Sequence, residues 1–531
     1  MINSLYIAKT GLSTSKYSVD VTSNNIANEN TEGYVKRTVN TSEINLTGSE
    51  IGNGVSFDSV TRSTNAYLYD KLVSQSSLAS YYEEQDSILS SVEIMFSETE
   101  STGFSTTLSS FFDSVESLRT DPTNIIYQNE LSTQSQLIVD SLQSLNSDLN
   151  DTLDSLNTQL EDEVETVNDI LKQIVYVNEQ MQNTGETNDL LDKRDALEKE
   201  LSSYVNVEVN RDSSTYNLQI SGVNVIFNNT NLHEISIKEN NVAQKDIYNS
   251  SDLDDSNFSD GEEVTITLDG TTTLTLNASV SGTDDNELKQ QIIDAINSNS
   301  NFSNYTAYLD SSDNLVIKSN IEGEEGAFDI SISVDDTEIS KNANSVEASN
   351  SVSLAVYNNN LSLTGGSLKA VTQELTTSTS NIYSYKQSLD DFAKALVDYS
   401  SENSSVSLFS GTNVDSLTFN NNVTSLSSDD LENLAKLQWS EDLTIGSSTN
   451  TSFSEFYQNL LVKVSSNVEN NSFKLDSQNS IVNSLETTYN NLTKVDSDEE
   501  MINLLQYQAA YEANAKIITA VDEMIQTLLA M

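Results

Sequence analysis

The chain has no cysteine in its 531 residues, which excludes disulfides, thiol nucleophiles and zinc–thiolate sites. Histidine occurs once, as His233, in the alternating stretch NLHEISI. A histidine-based triad is possible in principle, but the alternation reads His233 as a strand residue. Basic side chains are few: 25 Lys and Arg against 81 Asp and Glu, a formal net charge of −56. Such a field repels nucleic acid and anionic membrane surfaces, and it suits a secreted or surface protein that must stay soluble. No run approaches the ~18–20 apolar residues of a membrane span. The opening MINSLYIAKTGL lacks the basic region and apolar run of a secretory signal. If the protein leaves the cell, a route other than a cleaved general secretory signal is expected. Glycines are scattered or sit in turns, and none forms a phosphate-binding loop. The one proline, Pro122, follows Asp121 and is expected to open a helix.

What is present is periodicity. At the N-terminus Leu5, Leu12, Val19 and Ile26 recur every seven residues, with small residues Ala8, Ser15 and Thr22 between them. At the C-terminus Leu504, Tyr511, Ile518 and Ile525 fill one seam position, and Tyr507, Asn514, Val521 and Leu528 fill the other. This 3-4 spacing makes a narrow stripe for packing against another helix. A third helix carries Leu142, Leu145, Leu149, Leu153, Leu156, Leu160, Val164, Val167, Leu171 and Val175. Its steps repeat every eleven residues, which predicts a nearly straight rod. Earlier helices are predicted over 65–95 and 104–118, with helical structure ending near 202.

The period then switches to two. Val205, Val207 and Val209 alternate with polar residues, and YNLQI and VNVIF flank the hairpin signal Ser221-Gly222. The tract IYNSSDLDDSNFSDGEE reads as an acidic linker. Asp252, Asp254, Ser256, Asp260 and Glu263 occupy positions 1, 3, 5, 9 and 12 of a calcium loop, but Asn257 stands where the sharp turn needs glycine. A compact α+β unit follows over 262–334, with a turn at Asp269-Gly270 and a helix bearing Leu288, Ile292 and Ile296. GGSLKAV, from Gly365, marks the return to helices, over 382–399 and from 453 to the end. Carboxylate pairs such as Asp284/Asp285 and Glu324/Glu325 are too frequent in so acidic a chain to single out a catalytic pair. No catalytic, cofactor-binding or metal-binding residue is nominated, and the chain is read as not an enzyme.

The predicted class is α+β and multidomain. Residues 1–45 with 485–531 form a terminal helical pair, and 46–202 with 369–484 form an elongated helical rod. Residues 203–368 form a β-rich outer domain carrying the module at 262–334.

The stretch TGLSTSKYSVDVTSNNIANENTEGYVKR resembles the N-terminal motif of flagellar rod, hook and hook-associated proteins. Its core here is Asn24, Asn25, Ile26, Ala27 and Asn28, then Thr31, Gly33 and Tyr34. Glu32 stands where that family often has proline. The segment DEEMINLLQYQAAYEANAKIITAVDEMIQTLL is similar to the matching C-terminal motif. FFDSVESLRTDPTN, NDLLDKRDALEKELS and GGSLKAV resemble segments of the hook-associated protein 1 family. The resemblance implies a structural protein at the hook–filament junction of the extracellular flagellum, exported unfolded through the flagellar type III apparatus. It implies a homo-oligomeric ring or lattice, with hook protein and a second junction protein (hook-associated protein 3) as neighbours. It also implies an export chaperone on the C-terminal helix, and neither nucleic-acid binding nor membrane insertion. The assembly interface is then Leu5, Leu12, Val19 and Ile26 with Leu504, Tyr507, Tyr511, Asn514, Ile518, Val521, Ile525 and Leu528. Asn24, Asn25, Asn28, Thr31, Gly33 and Tyr34 form a joint. Both ends are expected to be mobile in the monomer and to pair on assembly. Hook or distal-rod protein, and a surface adhesin using the β-rich region, stay open as alternatives.

Overall fold

The computed structural model describes residues 2–44, 52–98, 102–211, 215–280, 286–335 and 337–529. Asp284 and Asp285 lie outside the described residues. The helices are α1 (Ile2–Ala27), α2 (Ala66–Met95), α3 (Phe104–Thr120), α4 (Ile125–Thr184), α5 (Asn188–Tyr204), α6 (Glu287–Ser298), α7 (Ser367–Glu374), α8 (Asn381–Glu402), α9 (Ser428–Leu437), α10 (Phe453–Thr493) and α11 (Ser497–Leu529).

Polar side chains set most of these starts. Asn65, Asn124, Thr187, Ser380 and Ser452 each accept a hydrogen bond from an amide in the first turn of α2, α4, α5, α8 and α10. Pro122 does not open α4. It sits in the preceding turn, and Asn124 is the cap, because its side chain can accept from the Ile126 amide at 3.0 Å. The eleven-residue period is the buried stripe of α4: Leu142, Leu149, Leu156 and Leu171 are inaccessible or nearly so, while Leu145 and Val175 lie at its edge.

α2 to α5 and α7 to α10 share one hydrophobic core. That core continues into two β-sheets, through Leu218, Ile220, Val225 and Ile226 of one and Leu354 and Val356 of the other. The β-rich region therefore does not separate cleanly at 203. Its strands near the body bury their apolar faces on α4 and its neighbours. The part with a core of its own is the module, which contains α6, a four-stranded sheet and a three-stranded sheet. Its core includes Tyr248 and Leu253, which precede the expected start at 262. The tract read as an acidic linker is thus structured: Lys245–Tyr248 is a strand, and the buried Asp255 accepts from the Glu287 and Leu288 amides at the start of α6. The turns at Ser221-Gly222 and Asp269-Gly270 have φ of 52° and 76°, and 51° and 65°, as two-residue hairpins require. His233 lies just past the short strand Asn231–Leu232, where its Nδ1 lies 3.2 Å from the Asn224 carbonyl oxygen and its ring packs on Tyr357.

Between α8 and α10 the chain is not simply helical. It forms two short hairpins and α9, whose Ser427 and Asp430 make a reciprocal capping box. α10 runs antiparallel to α2 along a polar seam, where Asn471 and Gln478 donate to the Tyr82 and Gln75 carbonyl oxygens at 2.8 and 2.9 Å. Glu374, at the end of α7, is fully buried. Its carboxylate accepts from Gln85, Ser380, the Asn381 side chain, and the Asn381 and Ile382 amides. It thereby ties α2 and α7 to the start of α8.

Candidate assembly surface and joint

The two chain ends meet. α1 and α11 pack antiparallel, with Asn25 beside Glu500 and Gly11 beside Asn514. The β-hairpin of β1 (Arg37–Glu43) and β2 (Val55–Arg62) lies against α1, where Tyr17 stacks on Phe57 with centroids 4.4 Å apart. The pairing expected only on assembly is therefore already made within one chain.

The packing inverts the expected roles of the α1 residues. The small and polar positions, Ala8, Ser15, Ser18, Thr22 and Asn25, are the buried ones, whereas Leu5, Leu12, Val19 and Ile26 are half-buried beside them. Small side chains let the neighbouring elements approach closely. A Cβ on Gly11 would stand 2.9 Å from the Asn514 amide. On α11, Val521 is buried, and Leu504, Tyr507, Asn514, Ile518 and Ile525 are half-buried, but Tyr511 and Leu528 are exposed. A second stripe on α11 faces away from α1. Ile502, Leu505, Ile517, Met524 and Leu528 are all exposed on it, interspersed with Ala509, Ala513 and Ala520. The heptad followed in the sequence includes Leu528 of this stripe but none of Ile502, Leu505, Ile517 and Met524.

The joint is built around Asn25. Its Nδ2 donates to the Arg37 carbonyl oxygen and to Glu500 Oε2, both at 2.9 Å. Its Oδ1 accepts from the Tyr34 hydroxyl at 2.8 Å and the Arg37 amide at 3.1 Å. One side chain thus links α1, the loop, β1 and α11. Asn28 reaches back to Asn24, and Thr31 donates to Asn28. Gly33 turns the chain with φ of 75°, and its missing Cβ faces Ala196 of α5. Lys36 pairs with Glu499 and Glu500 at 2.9 and 3.3 Å. Burial raises the Tyr34 pKa above its ordinary value.

Beneath the joint lies a cluster that sequence reading did not find. The chain has five arginines. Four of them, Arg37, Arg62, Arg194 and Arg211, converge on the carboxylates Asp189, Asp192, Asp195 and Glu198 of α5. Arg37 spans Asp189 and Asp192, Arg62 spans Asp192 and Asp195, and Arg211 spans Asp195 and Glu198. Arg194 meets Glu198 at 3.7 Å. Tyr34, Tyr69 and Tyr216 lie under the guanidinium groups of Arg37, Arg211 and Arg194. Burial raises Asp192 despite two arginines, and it lifts the inaccessible Glu198 to about 7. The signal available in the sequence was the acid at every third residue of NDLLDKRDALEKELS; which cations would meet it was not legible.

A cleft of ≈ 1080 Å³ lies between the module and the helical body and is lined mainly by Asn, Asp, Ser and Thr. Among the described residues no group of three His, Asp or Glu side chains is placed to hold a metal ion. No described helix is long and apolar enough to cross a membrane.

Three family models match this layout. The flagella basal body rod protein model matches residues 5–34, which are α1 and the joint. The flagellar basal body rod FlgEFG protein C-terminal model matches 488–531, which holds α11. The flagellar hook-associated protein FlgK helical domain model matches 89–283. The chain is thus similar to flagellar axial proteins at both ends and to the FlgK helical domain between them. Among curated relatives, flagellar hook-associated protein 1 of Salmonella typhimurium is 30% identical over 228 residues, 40% of each chain. That of Bacillus subtilis is 25% identical over 224 residues, 40% of this chain and 44% of the relative. That of Escherichia coli is 28% identical, with 40% and 41% covered. The match thus spans about two-fifths of the length of these relatives. Among solved structures, the flagellar hook junction protein FlgK from Burkholderia pseudomallei aligns with a TM-score of 0.41 and 12% identity, covering 79% of this chain and 99% of that one.

Proposed function

We propose that the chain is a structural component of the bacterial flagellum that joins hook to filament. The observation that carries this reading is the pairing of both ends, each matched by an axial-protein model, into a helix pair with an unpartnered apolar face. A chain of net charge −56 repels its own copies over most of its surface. Contact between copies is least opposed along the stripe from Ile502 to Leu528. Burying that stripe against neighbouring terminal helices stabilises the assembly by ~25 cal/mol per Å².

The terminal segments 1–45 and 485–531 act as the assembly domain of a ring or helical lattice outside the cell. Hook protein lies on one side and a second junction protein, hook-associated protein 3, on the other. The role is mechanical, and the chain has no enzymatic function. Before export through the type III apparatus, a chaperone covers the apolar faces of α11.

Immunogold electron microscopy of intact flagella, with antibody to the module, tests the assignment. The expected result is one narrow band between hook and filament. Gold along the whole hook would make the chain a hook or distal-rod protein, and gold over the cell body would favour an adhesin. The variant Ile517→Asp places a charge on the free stripe and is expected to lose the band while the monomer still folds.

A further inference from the structure

The terminal unit, made of α1, β1, β2 and α11, packs extensively only on itself. None of its side chains enters the hydrophobic core of the body. Two short covalent links, 63–65 and 494–496, join it to that body, and both run beside Lys36. Across the gap the Lys36 amide donates to the Thr493 carbonyl oxygen at 2.7 Å, and Asn188 donates to the Val60 carbonyl oxygen at 3.2 Å. The remaining direct ties described above are the arginine rungs.

The rungs divide into two classes. Arg37 and Arg62 come from the hairpin, whereas Arg194 and Arg211 belong to the body. The arginines that meet Asp192 are those of the hairpin, beside a backbone hydrogen bond from Val35, and Asp195 is shared between Arg62 and Arg211. Glu198 meets only body arginines. Exposure differs sharply between the two ends of the helix: the side chain of Asp189 is 79% exposed and that of Glu198 0%, with Asp192 at 10% and Asp195 at 17% between them. Exposed ion pairs are screened and weak, while buried ones persist because their charges have no water to turn to. At the central rung Arg62 Nε and Asp192 Oδ1 stand 2.7 Å apart without hydrogen-bond alignment, so charge rather than directional bonding holds it.

We propose that the α5 ladder is a latch that sets the angle of the terminal unit on the helical body, with Asp192 and Asp195 as its working members. A charge ladder suits this task better than an apolar contact. Its hairpin rungs can part and re-form in water without exposing hydrophobic surface, and its body rungs keep α5 in place meanwhile. The latch opens from its exposed end, Asp189 first. The fully buried Glu198 stays paired throughout.

The lack of cysteine allows a clean test on the full chain. Spin labels on cysteines introduced at the exposed positions Ser13, on α1, and Thr166, on α4, report the angle as a distance distribution. The native background is expected to give one narrow peak. Asp192→Asn with Asp195→Asn is expected to abolish that peak in favour of a broad distribution, with the unfolding midpoint of the body retained. Glu198→Gln is expected to keep the narrow peak. If the double variant fails to fold, Arg62→Gln replaces it with the same expected loss. A narrow peak in every variant overturns the proposal, because the angle is then held by the covalent links and backbone hydrogen bonds. A broad distribution in the native background also overturns it. Neither result touches the junction assignment, which is read from the gold band.

Discussion

Replacing Asn25 by alanine removes four hydrogen bonds at one point that is 1% exposed. Two of the partners keep other contacts: the Tyr34 hydroxyl retains Asn24 at 3.0 Å, and Glu500 retains Lys36 at 3.3 Å. The amide and carbonyl of Arg37 lose their Asn25 partner. Each buried group left unpaired costs about 1–3 kcal/mol, so the change costs about 3 kcal/mol. The cost falls on the terminal unit alone, because that unit shares no hydrophobic core with the body. Native-state hydrogen exchange is the assay. Amides of α1 and α11 are expected to exchange roughly 150-fold faster, at about 1.4 kcal/mol per tenfold. Amides of α4 and α8 are expected to be unchanged. Asn24→Ala, at an exposed position, is the control and costs about 0.5 kcal/mol. Equal acceleration in α4 and α8 would refute the separation of the two units. No acceleration in α1 and α11 would refute Asn25 as their tie.

Gly11→Leu is expected to force α1 from α11, since even a Cβ there meets Asn514 at 2.9 Å; loss of exchange protection in both helices, with the body midpoint unchanged, checks it. Glu374→Ala leaves the buried donors from Gln85, Ser380, Asn381 and Ile382 without their acceptor. The expected loss is about 3–5 kcal/mol of body stability, read by urea denaturation. Burial raises Glu198 to about 7 and Asp390 to about 6. For a carboxylate whose folded pKa lies above its unfolded one, the stabilisation is complete below the unfolded value and is lost as pH rises through the folded value. Thermal stability is therefore expected to fall from about pH 5 to about pH 7.5, and Glu198→Gln is expected to flatten part of that slope. A slope of opposite sign would contradict the burial argument.

Local signals carried much of the architecture. The heptads at both ends, the eleven-residue stripe of α4, the hairpin turns and the helix of the module each depend on residues close in sequence. Such elements declare themselves through periodicity, capping and positive φ. The misreadings were also local. Asp255 looked like linker because its amide partners on Glu287 and Leu288 lie about thirty residues away. The hairpins between α8 and α10 were too short to show an alternation.

The sequence by itself determined the long helices and the longer strands, that both ends are helices with a seam, and that the chain carries the marks of a flagellar axial protein. Only the tertiary structure decided which side of each seam is buried. Close approach of the α1 face selects Ala8, Ser15 and Thr22 for the contact and leaves the leucines at its edge. It alone assembled the ladder, whose arginines at 37, 62, 194 and 211 come from three separate parts of the chain. Electrostatic pairing depends on distance in space and on burial, and neither is a property of neighbouring letters.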